Sequence, residues 1–157
     1  MTNTGKPFKR TLRKGDFGMS GTVNLTAGKF VEIGSLTVKA QQEIALGNNE
    51  SVSGRIQGAP MYVNLYDNSG TPEQIPGLVR FVYSDANEVD SPLYLEESIE
   101  RLSADISDRN KAVLYPETLD RVGRDSKIRI LFKADNSATL DCDNSNTILS
   151  IPTTVYQ

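Results

Sequence analysis

The sequence of 157 residues contains no histidine, no tryptophan and a single cysteine. Without histidine, the chain lacks the most common general base, proton shuttle and metal ligand, which excludes a Ser-His-Asp or Cys-His catalytic group within it. The single cysteine excludes an intrachain disulfide, and a structural zinc site would need an unusual set of carboxylate ligands. We therefore expect a protein that is not an enzyme and that holds no metal or cofactor.

Motifs for serine hydrolysis, for phosphate binding and for membrane passage are also missing. The chain has no Gly-x-Ser-x-Gly elbow and no phosphate-binding loop that ends in Gly-Lys-Ser/Thr. No apolar run approaches the length of a transmembrane helix, and the N-terminal region lacks the apolar segment of a signal peptide. We expect a protein that is made in the cytoplasm without classical export and that has no membrane partner.

The composition is otherwise ordinary, but the charge is unevenly distributed. With 38% hydrophobic and 24% charged residues, the chain suits one globular domain with a core of its own. The net charge of −3 divides into +5 for residues 1–15 and −8 for the rest. We predict a flexible basic N-terminal arm over residues 1–15 and a single β domain over 16–157. The arm is a candidate interaction element through Lys6, Lys9, Arg10, Arg13 and Lys14.

Hydrophobic periodicity predicts strands along most of the chain. Apolar and polar side chains alternate over residues 127–133 and 61–66, which is the pattern of strands with one buried face. Residues 77–83 form a nearly continuous apolar run that is typical of a central strand. Between Ile33 and Leu36 the apolar positions change phase, and a β-bulge at Gly34 would return them to one face.

Two segments leave the secondary structure open. Residues 41–46 fit either a helical turn or a strand. Residues 91–107 carry both an alternating pattern and apolar residues at helical spacing, and we favour a strand with a helical turn near 98–106. Long amphipathic helices do not alternate with the strands, which excludes a doubly wound sheet. The prediction is an all-β fold, an antiparallel β-sandwich or jelly-roll-like barrel of about eight strands, with at most one short helix near 92–107.

A few residues are candidates for chemistry, each with an ordinary structural alternative. Cys142 is in phase with Leu140, and we interpret it as a buried apolar residue rather than a nucleophile. Asp141 and Asp143 suggest a weak calcium site in the turns at 135–146, although the residues that a calcium loop needs are missing. Three pairs of carboxylates could support hydrolysis if they flank a cleft, although charges of this kind usually only keep the outer face of a strand in contact with water. The pairs are Glu96 with Glu97, Asp105 with Asp108, and Asp141 with Asp143.

The aromatic residues suggest one further surface. Tyr62 and Tyr66 share a strand face with Asn64 rather than with lysine or arginine, which is unlike a base-stacking surface for nucleic acid. They fit a contact surface for protein or carbohydrate, or they are ordinary strand aromatics. Any nucleic-acid contact is therefore expected to be weak and to run through the basic arm.

The pattern as a whole resembles small viral structural proteins. The stretch that runs from residues 81–85 (Phe-Val-Tyr-Ser-Asp) to residues 114–117 (Leu-Tyr-Pro-Glu) and the segment 151–157 (Ile-Pro-Thr-Thr-Val-Tyr-Gln) are similar to stretches of small virus-associated proteins. The resemblance is to single jelly-roll capsid proteins and to β-sandwich decoration (cement) proteins. It implies a non-enzymatic virion subunit that assembles with itself, as a homo-oligomer, and with other capsid proteins. No defining motif transfers a functional residue.

Two alternatives to a virion subunit remain at this point. One is a β-sandwich module that binds carbohydrate or a receptor through Tyr62, Tyr66 and neighbouring loops. The other is a carboxylate-based hydrolase.

For a shell protein we also expect protected sheet edges, with Pro152 and the Lys/Arg-flanked strand at 127–133 preventing unwanted strand pairing.

Overall fold

The structure is a computed structural model that describes residues 8–39, 42–46, 50–52, 55–57, 61–84, 87, 95–103 and 125–156. This part of the chain contains twelve strands, a 3₁₀ turn at Lys14–Phe17 and one short helix, α1 (Ile99–Leu102). The strands are β1 (Phe8–Leu12), β2 (Thr22–Leu25), β3 (Phe30–Thr37), β4 (Glu43–Leu46), β5 (Glu50–Val52), β6 (Arg55–Gln57), β7 (Tyr62–Asn64), β8 (Gly77–Ser84), β9 (Leu95–Ser98), β10 (Lys127–Ala134), β11 (Ala138–Asp141) and β12 (Ile148–Tyr156).

These strands form two four-stranded sheets and two small ribbons. In the first sheet β12 pairs with β1 on one side, and on its other side with β7 near its start and β4 near its end. The second sheet has the order β3-β10-β8-β9, while β2 pairs with β11 and β5 with β6. Every described pairing is antiparallel. The predicted all-β antiparallel class is confirmed, with the expected eight segments divided more finely.

Side chains from both large sheets meet in one hydrophobic core. Along β10 every second residue is buried, as the alternating sequence predicts. Phe81 and Phe132 of the second sheet lie in the same cluster as Leu149 and Ile151 of the first. Because the inner faces of both sheets supply this cluster, the architecture is a β-sandwich.

The predicted bulge in β3 is confirmed by the strand register. Ile130 of β10 pairs with Gly34, but the next residue, Leu131, pairs with Glu32, so Ile33 is the extra residue. A side chain at Gly34 would meet Met19 Cγ at 2.8 Å and Phe17 Cβ at 3.1 Å. Glycine therefore gives the bulge room to pack against the 3₁₀ turn.

The segments with open predictions are resolved where the structure describes them. Glu43–Leu46 is a strand, not a helical turn. β9 runs directly into α1, whose N-terminus is capped by Ser98, with the Glu100 N–H donating to its hydroxyl over 3.3 Å. A strand followed by one helical turn is thus confirmed, while residues 91–94 and 104–107 lie outside the described part.

The expectation about sheet edges is wrong. β10 lies between β3 and β8, and β12 lies between β1 and the pair β4 and β7, so both strands are interior. On one side of β12 the partner strand changes along the chain. Ile148 to Ser150 pair with β7, and Thr153 to Tyr156 pair with β4. Pro152 lies at this change of partners, where a residue without an N–H donor fits an interior strand.

The predicted boundary of the arm also differs from the structure. Phe8–Leu12 is a strand of the first sheet, and Leu12 is completely buried in the core. The periodic signal was hidden because the first four residues of β1 are all exposed. The second half of the predicted flexible arm is therefore part of the sandwich, and residues 1–7 lie outside the described residues. The grouping of 16–157 into a single domain stays a prediction.

Among the described residues no helix is both long enough and apolar enough to cross a membrane.

Candidate binding surfaces

The five cations of the predicted arm have different environments in the structure. Lys9 and Arg10 lie on β1 and are exposed, beside Phe8, whose side chain is 42% exposed. Among the described strands, β1 pairs with β12 alone, so it is an edge strand of the first sheet. Phe8, Lys9 and Arg10 make this edge of the sandwich cationic and partly apolar, and we call it the basic border. Lys6 lies outside the described residues.

The remaining cations lie around the 3₁₀ turn that follows β1. The Asp16 carboxylate accepts from the Arg10 guanidinium over 2.7 Å and from the Arg13 backbone N–H over 2.8 Å. The Lys14 ammonium donates to the carbonyl oxygens of Cys142 and Asn144 over 2.8 and 3.1 Å. Lys14 thus joins the N-terminal turn to the loop after β11 and has a structural role.

The aspartates of the β11–β12 turn are used by the backbone of the turn. The Asp143 N–H donates to Asp141 Oδ1 over 3.1 Å, and the Gly21 N–H donates to Asp143 Oδ2 over 3.2 Å. Within the described ranges, no group of three or more acidic or cysteine side chains is arranged to hold a metal ion. The carboxylates therefore act here as acceptors that shape two loops.

Cys142, in the same turn, is completely buried. Burial raises the pKa of its thiol, and the neighbouring Asp143 carboxylate raises it further. Because the thiolate is the reactive form, this environment suits a packed apolar residue rather than a nucleophile.

The carboxylates proposed for hydrolysis are engaged in ion pairs where the structure describes them. Glu96 accepts from the Arg80 guanidinium over 3.2 Å, and Glu97 pairs with Arg101 one helical turn away. Asp105 and Asp108 lie outside the described residues. Arg80 also lies over the Phe30 ring at 3.7 Å, so Glu96, Arg80 and Phe30 form one row across the outer face of the second sheet.

The tyrosine surface lines a surface pocket. This pocket has a volume of about 670 Å³. The predicted trio of Tyr62, Asn64 and Tyr66 forms one side of it. The other lining residues are Arg13, Gln74, Ser103, Ile148 and Ser150.

Arg13 and Gln74 were not predicted as parts of this surface. Arg13 reaches it from the turn after β1, because β1 lies beside β12 at the position where Leu12 pairs with Ile151. Gln74 reaches it through a bridge with Tyr66. No local pattern could reveal this arrangement, since it depends on which strands become neighbours.

A smaller pocket of about 350 Å³ lies on the outer face of the second sheet. Glu32, Ser35, Ser84, Lys127 and Arg129 line it. Glu32, the carboxylate among the described lining residues, accepts from the Arg129 guanidinium over 2.5 Å and is therefore already paired. Neither pocket has two carboxylates of the described residues facing each other, which is the arrangement that the hydrolase hypothesis requires.

Comparison with known proteins gives a relationship at the level of the fold. No protein-family model and no curated protein matches the chain. Among solved structures, the complex of VP16 and VP17, the two major capsid proteins of bacteriophage P23-77, matches with a TM-score of 0.64 and 10% identity. This match covers 96% of this chain and 99% of the matched one. VP17, a capsid protein of the same bacteriophage, matches with the same TM-score and identity over 97% and 96% of the two chains. The chain therefore has the single jelly-roll fold of these capsid proteins.

Proposed function

We propose that this chain is a structural, non-enzymatic subunit of a virion shell. The observation that carries the proposal is the fold match to major capsid proteins, which extends over nearly the whole length of both chains. A match of this extent leaves little of the chain for an additional domain with another activity. The complete absence of histidine is consistent with a role that rests on shape and contacts.

Two features favour a shell-forming subunit over a decoration protein. The matched structures are major capsid proteins, and one of them is a complex of two such proteins. The interior strands β10 and β12 are long and pair with strands on both sides, so the sandwich is a scaffold that repeated contacts can join. We infer that the chain assembles with itself and with at least one other capsid protein.

The basic border at β1 is our candidate for one of these contacts. Lys9 and Arg10 are exposed there, and the rest of the chain beyond residue 15 carries a charge of −8. A basic strand of one subunit and an acidic surface of the next would attract each other, and exposed Phe8 would add apolar contact area. Weak attraction of nucleic acid to the same border is a secondary possibility that salt would suppress.

The proposal is tested by assembly of the purified chain. We expect mass photometry and electron microscopy to show a closed oligomer or a lattice, either alone or after co-expression with capsid proteins encoded beside it. Antibodies against the chain should also label purified virions, which is the location that the proposal requires. A chain that stays monomeric at all concentrations and is absent from virions would contradict the proposal.

A further inference from the structure

The pocket at Tyr62 is built on the outward face of the first sheet. In the strand register Tyr62 lies opposite Ser150, and Asn64 lies opposite Ile148, so all four belong to one face. Leu149 and Ile151, which alternate with them along β12, are buried in the core. The pocket is therefore a feature of the solvent side of the sandwich, independent of the core.

The backbone around the pocket is held in place by many hydrogen bonds. The Tyr66 N–H donates to Thr147 Oγ1 over 3.1 Å, and the Tyr66 carbonyl accepts from the Asp141 N–H over 2.9 Å. The next residue, Asp67, holds the following turn through one oxygen that accepts from Ser69 and Glu73. The backbone of such a site needs little rearrangement when a ligand binds.

The lining combines aromatic, aliphatic and uncharged polar groups. Tyr62 and Tyr66 are half-buried, and Ile148 is 38% exposed, which is unusual for an isoleucine on a strand of this protein. Hydroxyl groups of Ser103 and Ser150 and the amide of Asn64 complete the wall. Aromatic planes beside hydroxyl and amide groups are the combination that binds sugar rings, which present an apolar C–H face and an edge of hydroxyl groups.

Gln74 supplies a second, independent indication of a polar ligand. Both its Nε2 and its Oε1 atoms are buried, and neither has a hydrogen-bond partner. Buried side-chain amides are nearly always paired, so an orphaned donor and acceptor at one pocket wall is an exception that needs an explanation. A ligand with neighbouring hydroxyl groups could pair with both atoms once the side chain turns toward the pocket.

The charge of the lining selects the type of ligand. Arg13 is the only charged residue among the described lining residues, and none of these described residues is a carboxylate. Both oxygens of the nearby Asp16 are used by the Arg10 guanidinium and the Arg13 backbone, not by the Arg13 side chain. A guanidinium at the pocket rim favours a ligand that carries a carboxylate, with which it can form two parallel hydrogen bonds.

We propose that this pocket binds an acidic saccharide. The sugar ring lies against Tyr62 and Tyr66, and its carboxylate pairs with Arg13. The hydroxyl groups pair with Asn64 and Gln74. A volume of about 670 Å³ lies in the range of ordinary ligand pockets and suits a short oligosaccharide. Binding is a property of the single chain, so it does not depend on the proposed role in a virion shell.

The test compares acidic glycans with their neutral parents. The full-length protein is titrated with sialyllactose and lactose, and with cellobiouronic acid and cellobiose, by calorimetry and saturation-transfer NMR. We expect at least one acidic member to bind more tightly than its parent. If neither acidic glycan binds at millimolar concentration, or if the parents bind equally well, the inference is overturned.

Variants connect the binding to the pocket. R13Q should lower the affinity for the acidic glycan by roughly ten- to a hundredfold, which is the loss expected for hydrogen bonds to a charged group. The affinity for the neutral parent should not change. Y66A should lower the affinity for both glycans. R129Q, which removes an arginine from the second sheet, is the matched control and should leave both affinities unchanged. Unchanged binding in R13Q and Y66A would place the glycan elsewhere and refute the proposal. If Y66A instead abolishes oligomers and no glycan binds, the pocket is a subunit contact and the proposal is again refuted.

Discussion

Gly77 begins β8 at a place where only a hydrogen atom fits. A Cβ at this position would overlap with the Lys133 carbonyl oxygen of the neighbouring strand and would lie 2.8 Å from Phe132 Cζ. Gly77 pairs directly with Ala134, so the obstruction is backbone as well as side chain and cannot move aside cheaply. This close approach explains why a glycine opens one of the most apolar strands of the chain.

We expect G77A to lower the free energy of unfolding by about 1–3 kcal/mol, the usual cost of overpacking a core site. Gly15 is the matched control, since a Cβ there would meet nothing within 4 Å. Urea denaturation of both variants measures the difference. Equal stability of G77A and the unchanged protein would show that β8 and β10 are not packed as closely as the structure has them.

Asp67 organises the turn below the tyrosine pocket and gives it a dependence on pH. The Glu73 backbone N–H and the Ser69 hydroxyl hold the pKa of this carboxyl below its ordinary value near 3.8. A carboxyl whose pKa is lowered by folding stabilises the fold above its unfolded pKa. That stabilisation is lost as the pH falls through the folded value.

We therefore expect D67N to cost about 1 kcal/mol at neutral pH, because a neutral acceptor forms weaker hydrogen bonds than a carboxylate. The cost should begin to shrink below about pH 4, where the carboxyl of the unfolded chain becomes protonated, and disappear once the pH has fallen through the lower pKa of the folded carboxyl. Thermal unfolding at pH 7 and pH 3 measures this, with D135N as a control for loss of charge in an exposed turn. A loss of stability in D67N that grows toward low pH would show that the ionised Asp67 carboxylate does not stabilise this turn.

Residue patterns in the sequence could predict one half of the candidate site but not the other. Tyr62, Asn64 and Tyr66 alternate along a strand, and alternation alone places them on one face. Arg13 and Gln74 join them only through tertiary neighbours, and the orphaned amide of Gln74 has no signature in the sequence. The ligand class depends on Arg13, and therefore it could not be inferred before the fold was known.

At the scale of elements, long strands were predictable and short or exposed strands were not. β8 and β10 each have eight residues, enough for the apolar pattern to show, and the change of phase in β3 correctly located its bulge. β5 and β6 have three residues each, too few to establish a period. β1 carries exposed side chains on both faces, so its sequence has the composition of a solvated terminus although it pairs with β12.

Strand β1 therefore makes a prediction about truncation. Removing residues 1–12 deletes a strand and the fully buried Leu12, whose loss alone costs about 2–5 kcal/mol when leucine is truncated to alanine. Removing residues 1–7 takes away none of these contacts. We expect the shorter truncation to melt close to the full-length protein and the longer one to melt far lower.

Differential scanning calorimetry compares the two truncations, and L12A reports the side-chain contribution without removing the strand. If the chain that lacks residues 1–12 melts at the temperature of the full-length protein, β1 does not belong to the sandwich. In that case the arm would extend to residue 15, as the sequence alone suggests.

The whole molecule combines a rigid sandwich with an uneven charge distribution. The fold itself could be assigned to a class from periodicity and from missing helices, and the comparison places it among single jelly rolls. The identity of the contacts between subunits could not be assigned, since these depend on surfaces of other molecules. What the chain does provide is a cationic N-terminal region of +5 and a remainder of −8, a division suited to attraction between copies.

The salt dependence of assembly tests this attraction. Of the five cations, Lys14 is unsuitable because its ammonium binds two carbonyl groups of the β11–β12 turn. The double variant K6Q/K9Q instead removes two charges near the N-terminus. The double variant K29Q/K39Q removes two exposed charges elsewhere and is the matched control.

We expect K6Q/K9Q to raise the protein concentration needed for assembly at low salt and to have little effect near 1 M salt, where the screening length falls to about 3 Å. The control pair should have a smaller effect, because its lysines lie outside the cationic N-terminal region of residues 1–15. Light scattering across a salt series, with calorimetry to verify that the variants remain folded, measures both. An equal effect of the two variants would show that net charge, rather than the border at β1, governs assembly. An effect of K6Q/K9Q that persists unchanged at high salt would show that these residues act through packing rather than through charge.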